Sequence, residues 1–305
     1  SEGYLNLLAN AFPQIPSELT RLGDVQITAD CERNQQGAGN LQANLQTGIG
    51  EAKIAINLAA DQSFVGSAEI SAQYLQKLLA NNDLGKLNTT LTLKGQLHEG
   101  QKPDVNVEGI ISDLDYKGYS YRNLTINGGY NKGVISGNFD INDPNIEAHI
   151  KAELSDEHLN DKSLNSIKLQ ASIEHYNPQA LHLTDQWGGA TLDGQLEADL
   201  AAHNLNDVQG NIRLSNFTIS ATDKHPAYRL DNLNITTGRE DGIHFLTVKS
   251  DFADAELKGQ FDYKTLPASF INLLKSKLPT LPFLPEKTTK SNNNFVLRLM
   301  VSKSD

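Results

Sequence analysis

The sequence predicts a mainly β protein built on one long antiparallel sheet, with two or three short amphipathic helices interrupting it. Three observations predict this. Apolar residues recur at every second position through most of the chain, as in strands with one apolar and one solvated face. Short clusters of Asn, Gly, Asp and Pro separate these runs, as hairpins require. Short strings also recur along the chain, as in stacked repeating units.

Taken in order, Tyr4-Leu5-Asn6-Leu7-Leu8 opens as a helix, and Val25 to Ala29 reads as a strand. Strand rows follow at Leu41, Ala43, Leu45 and at Ile54, Ile56, Leu58. A second helix is expected over Tyr74–Leu79, where apolar residues take helical spacing. The next rows are Leu87, Leu91, Leu93, Leu97, then Val105, Val107, Gly109, Ile111. The clearest alternation runs through Ile146, Ala148, Ile150, Ala152, Leu154, through Ile167, Leu169, Ala171, Ile173, and through Ala190, Leu192, Gly194, Leu196, Ala198, Leu200. Leu233 and Ile235, then Ala253, Ala255, Leu257, Gly259, Phe261 and Tyr263, close the series before a third helix around Phe270–Leu274. The pattern gives roughly 15 strands. Tight reversals are expected at Asn127-Gly128-Gly129, Asn131-Lys132-Gly133, Asp143-Pro144-Asn145, Asn177-Pro178 and Asp241-Gly242.

The repetition is of two kinds. Residues 4–16 and 270–282 share Asn6/Asn272, Leu7/Leu273, Leu8/Leu274, Pro13/Pro279 and Pro16/Pro282 at one constant shift. Inside the chain, Gly95-Gln96-Leu97 matches Gly194-Gln195-Leu196, and Asn123-Leu124-Thr125-Ile126 matches Asn232-Leu233-Asn234-Ile235. These strings divide one repetitive domain into units over 1–84, 85–187 and 188–305, stacked like rungs.

Composition narrows the function. The net charge is −11 and no run of the chain forms a basic patch, which argues against nucleic acid and against docking on an anionic membrane. A single cysteine, Cys31, allows neither a disulfide framework nor a thiolate metal cluster. No GxSxG, HExxH, Walker or CxxC string occurs. His175 and His182 flank Asn177-Pro178 but have no third ligand at zinc spacing. Asp140-Ile141-Asn142 begins like a calcium loop, yet Pro144 and the missing glycine break that pattern. No catalytic residue, metal site or cofactor is assigned.

A sheet with one apolar face must cover it. It can do so as a closed sandwich or barrel, or it can curl into an open trough. Leaving a trough wet costs about 25 cal/mol per Å² of apolar surface, so an open one implies a long apolar ligand. The pattern alone leaves both solutions open.

Gly23 to Thr28, the strand–turn–strand string from Asp113 to Ile141, and Leu266 to Pro282 with its Leu-Leu and Pro-x-Leu-Pro resemble the large TamB proteins of Bacteroidetes, which are related to the AsmA-like group. The resemblance covers most of the chain by texture and repeat style. It implies a curled, β-taco-like sheet with an apolar groove. It implies a middle segment of a periplasm-crossing protein that is anchored in the inner membrane and active in outer-membrane biogenesis. The implied partners are phospholipid or unfolded outer-membrane β-strands, and an Omp85-type outer-membrane protein through the parent chain. On that reading the groove lining is Leu91, Leu93, Ile146, Ile150, Leu169, Leu192, Leu196, Ile212, Leu257 and Phe261. Two other classes stand beside it: an extracellular adhesin or scaffold of β-sandwiches, and a carbohydrate-binding or carbohydrate-active module. The second expects exposed aromatic platforms, and Trp187 is the one tryptophan.

Overall fold

The computed structural model describes residues 21–98, 102, 104–155, 165–202, 204–223, 226–277 and 293–301. Among these, sixteen strands form one antiparallel sheet in which spatial order follows chain order, and the sheet is not closed. The strands are β1 (Val25–Arg33), β2 (Gly39–Thr47), β3 (Gly50–Leu58), β4 (Ser63–Ala72), β5 (Leu84–Gln96), β6 (Asp104–Tyr116), β7 (Tyr119–Asn131) and β8 (Val134–Asp143). They continue as β9 (Ile146–Ser155), β10 (Asn165–Tyr176), β11 (Leu192–Ala202), β12 (Gln209–Ile219), β13 (Tyr228–Glu240), β14 (Ile243–Ser250), β15 (Ala253–Gln260) and β16 (Asn294–Val301). Helix α1 (Leu75–Leu79) links β4 to β5, and α2 (Leu266–Lys277) lies between β15 and β16. The helix expected over 4–8 and the Pro-x-apolar-Pro strings at 13–16 and 279–282 lie outside the described residues. No helix among those described is long and apolar enough to cross a membrane.

Turn chemistry explains the tight connections. Lys117-Gly118, Lys132-Gly133 and Asp241-Gly242 each hold positive φ at both residues, the mirror-image turn that matches strand twist. Asn127-Gly128-Gly129 corrects an expectation: it lies inside β7 and does not turn. A Cβ on Gly128 would sit 2.7 Å from the Ser136 carbonyl oxygen, and one on Gly129 would sit 2.5 Å from that of Val105. Glycine is there to let neighbouring backbones approach. Leu97, expected to extend its row, falls just beyond β5 and is exposed.

The chain packs as two compact units. Among the described residues, the first holds those within 21–151, 172–192 and 220–227; the second holds those within 152–171, 193–219 and 228–301. In the first, the core gathers Tyr121, Leu124, Ile141, Ile146, Ala148 and Leu181, with Ile111, Leu114 and Phe139 packed against it. Tyr121 and Leu124 are three residues apart yet share this core. The backbone between them switches faces at Asn123, which sits at φ 54°. In the second unit, buried Thr237, His244, Leu257, Phe261 and Ser269 collect near the start of α2.

Candidate functional site: the apolar face of the sheet

Strand register turns alternation into continuous ladders. Through β1 to β8 the paired residues Ile27, Leu45, Ala52, Ile70, Thr89, Ile111, Leu124 and Ile141 form one row across the first unit. The next row is Ala29, Ala43, Ile54, Ala68, Leu91, Gly109, Ile126 and Phe139. The third is Cys31, Leu41, Ile56, Gly66, Leu93, Val107, Gly128 and Gly137. Residues paired across antiparallel strands point to the same side, so the three rows share one face, and none of them holds a charged residue. The hydroxyl of Thr89 is satisfied within the sheet, donating to the Ile110 carbonyl at 3.0 Å. The rows keep their order through irregularities. Where β5 and β6 pair, Ser112 is the extra residue of a bulge between the Asn88–Asp113 and Thr89–Ile111 pairs.

The opposite side is polar. One of its rows reads Thr28, Asn44, Lys53, Glu69, Thr90, Ile110, Thr125 and Asp140. Side-chain bonds run across its strands. Ser71 Oγ donates to Asn88 Oδ1 at 2.9 Å, and Asn88 Nδ2 donates to Asp113 Oδ2 at 2.9 Å. The Asn88 amide, together with Lys86 Nζ at 3.3 Å from Asp113 Oδ2, holds the Asp113 carboxyl below the usual carboxylate range. Two shallow clefts open in the first unit. One of about 440 Å³ is lined by Glu32, Arg33, Asn34, Asn40 and their neighbours, and one of about 200 Å³ by Glu51, Lys53, Glu69, Ser71 and Asn88 among others. Both hold mainly polar side chains, so neither offers an apolar chain a home.

Exposure along the first row falls steeply, from 62% at Ile27 to 1% at Leu124. The burial comes from the far end of the row. There the connection between β10 and β11 inserts Leu181, which is fully buried, with Pro178 and Leu183 beside it. At the same hairpin ends, Asp143 accepts hydrogen bonds from Tyr119 Oη (2.5 Å), Arg122 N (3.2 Å) and Asn145 N (3.0 Å). Burial pushes the Tyr121 phenol up to about 12 and raises those of Tyr119 and Tyr176 as well. These rings therefore stay neutral against the apolar face at physiological pH.

The candidate lining residues divide by exposure. Leu91 and Leu93 stand side by side in the ladders of the first unit and are half-buried, as is Ile150. Ile146 lies in the closed core of that unit. Leu192, in the first unit, and Leu169 and Leu196, in the second, are half-buried on β11 and β10. Ile212 opposes Ile235 and is half-buried in a second-unit row that continues through Val248, Ala255 and Leu299. Leu257 and Phe261 are buried. Phe261 packs edge-on to His244 and Tyr263, with ring centroids 5.2 and 5.4 Å away. Sequence reasoning missed Leu181 and the Tyr119–Asp143 contact, because neither sits in a periodic run. A paired Asn177-Pro178 between apolar strands was the one available signal.

Among the described residues, no group of three or more His, Cys, Asp or Glu side chains converges as a metal site. Comparison with protein-family models, curated proteins and solved structures finds no match to this chain.

Proposed function

We propose that this chain is a non-catalytic segment of a TamB-like envelope protein, and that its apolar face shields an elongated apolar ligand. The ligand classes that fit are the acyl chains of phospholipids and the apolar side of nascent outer-membrane β-strands. On this reading the parent protein crosses the periplasm from an inner-membrane anchor and meets an Omp85-type partner at the outer membrane. The mechanism is passive: acyl chains lie along the ladders while headgroups stay in water.

One observation carries the reading. Three uncharged ladders run unbroken across eight strands of one sheet that is not closed. Much of that face is half-buried rather than sealed. Contiguous apolar surface of this kind is a binding feature in most proteins that carry it.

The test replaces Leu91 and Leu93 together with Asp, and compares that variant with Asn44→Asp on the polar side. Phospholipid that co-purifies from bacterial membranes is measured by mass spectrometry. We expect the double variant to lose roughly tenfold in bound lipid, the effect of about 1.4 kcal/mol, while Asn44→Asp keeps it. A folded double variant with undiminished lipid ends the proposal.

A further inference from the structure

The connection between β10 and β11, residues 177–191, is built as a self-contained piece. Its hydrogen bonds are mostly its own. The Asn177 carbonyl accepts from Leu181 N at 3.1 Å, and the Pro178 carbonyl from Leu183 N at 2.8 Å and Thr184 N at 3.3 Å. The Gln179 carbonyl accepts from His182 N at 3.0 Å, and Asn177 Oδ1 from Ala180 N at 3.0 Å. Asn177 Nδ2 donates to the Gly189 carbonyl at 3.5 Å and draws the two feet together. Among the described residues, the bonds that leave the segment are at those feet. Asn177 N donates to the Asn145 carbonyl at 2.9 Å, and Thr191 exchanges bonds with Ser220. This is the construction of a compact surface loop whose ends are close together.

What seats the body of the segment is apolar. Leu181 is fully buried and belongs to one cluster with Tyr121, Leu124, Ile141, Ile146 and Ala148, with Leu183 packed against it. Leu124 and Ile141 are the last members of the ladder that begins at Ile27. The segment thus occupies a stretch of the same face that the proposed function assigns to an acyl chain. Raising it would carry its hydrogen bonds along unbroken. The cost is the apolar surface uncovered beneath it, and an acyl chain would cover that surface again.

We propose that residues 177–191 are a displaceable plug that competes with the apolar ligand for the Leu124–Ile141–Ile146 end of the face. This rests on the proposed function. The closed plug reduces apparent affinity by the fraction of molecules in which it is seated. Loosening the plug therefore tightens ligand binding.

The only tryptophan of the chain, Trp187, lies in the segment, so its fluorescence reports the plug alone. The probe is a long-chain lysophosphatidylcholine below its micelle concentration. It is zwitterionic, so the −11 charge of the protein does not repel it. Binding is measured separately by equilibrium dialysis. The expected result is a saturable red shift of Trp187 emission, with greater quenching by acrylamide, in step with binding. Leu181→Ala should bind the probe roughly tenfold more tightly, and Leu183→Ala serves in its place if that variant does not fold. Probe binding with unchanged Trp187 emission overturns the plug and leaves the proposed function standing. Weaker binding by a folded Leu181→Ala variant also overturns it, since the leucine would then be helping the ligand. No binding by the unaltered chain removes both the plug and the reading beneath it.

Discussion

The two units bury the ends of their apolar faces by different means. In the first, burial concentrates at the hairpin ends that follow even-numbered strands. An irregular segment lays Leu181 against aliphatic and tyrosine side chains there. In the second, burial concentrates where odd-numbered strands end, and the polar groups there join strand to strand. His244 Nδ1 donates to the Phe261 carbonyl at 2.8 Å, and Arg239 Nη2 donates to His244 Nε2 at 2.6 Å. Thr237 Oγ1 bonds to Tyr263 Oη. Asn293, just before β16, bonds Asp262 N, Thr265 and Ser269 at the start of α2. The lesson is that burial alone does not define a seal. One cluster is held by a piece whose hydrogen bonds travel with it; the other is wired into the sheet.

The sharpest way to break this comparison is to truncate one anchor in each cluster. Phe261→Ala should cost about 3–5 kcal/mol of global stability, the ordinary loss for a large buried ring. Leu181→Ala should cost less, on the order of 1–2 kcal/mol, because its loss is capped by the free energy that docks the segment. Urea unfolding of both variants measures the difference. Equal losses would mean that the first seal is as integral as the second.

Alkaline titration tests the first cluster from another side. An unfolded tyrosine ionises near pH 10, whereas burial holds the Tyr121 proton to about pH 12. As pH rises, the unfolded state loses this proton first, so stability is complete below about pH 10 and declines from there to about 12. The loss should be on the order of 2 kcal/mol, and Tyr121→Phe should flatten it. An unchanged alkaline limb in that variant would place the sensitivity on Tyr119 and Tyr176. Tyr119→Phe, by comparison, should cost about 1–2 kcal/mol near neutral pH, because it removes the 2.5 Å donor to buried Asp143. Urea unfolding at pH 7 reads that loss.

The mainly β class was legible, and so was the apolar side of strands with clean alternation such as β2 and β3, because alternation depends only on local sequence. Leu41, Ala43 and Leu45 meet Ile56, Ile54 and Ala52 in register, as one-faced strands must. α1 was legible at Leu75 and Leu79, and α2 was placed correctly but begins earlier, at Leu266. Three features were hidden. Glycines at 128 and 129 looked like a turn because close approach of backbones leaves the same residue type as a reversal. Leu181 looked incidental because a loop has no period to mark its buried side. The joining of ladders across β1 to β8 depends on register, which the sequence states only through turn lengths and bulges.

The face switches were hidden for a subtler reason, and they give the smallest predicted effect. Asn123 in β7 and Asn216 in β12 both sit in the left-handed region, at φ 54° and 51°. After each, the next residue but one is a threonine that donates to an aspartate: Thr125 to Asp140 at 3.3 Å, and Thr218 to Asp193 at 3.2 Å. Asn-x-Thr is common enough in this chain to look like chance, yet at these two positions it marks where the apolar row changes parity. Leu214 and Phe217, three apart, are both half-buried across exposed Asn216. Asparagine tolerates this conformation better than other residues with a Cβ. Asn216→Ala should therefore cost about 1 kcal/mol, and Asn216→Gly should cost less or nothing. Thermal unfolding of the two variants reads the difference. If alanine and glycine behave alike, the kink is imposed by the packing of Phe217 and Leu230 across β12 and β13, and the asparagine is a passenger.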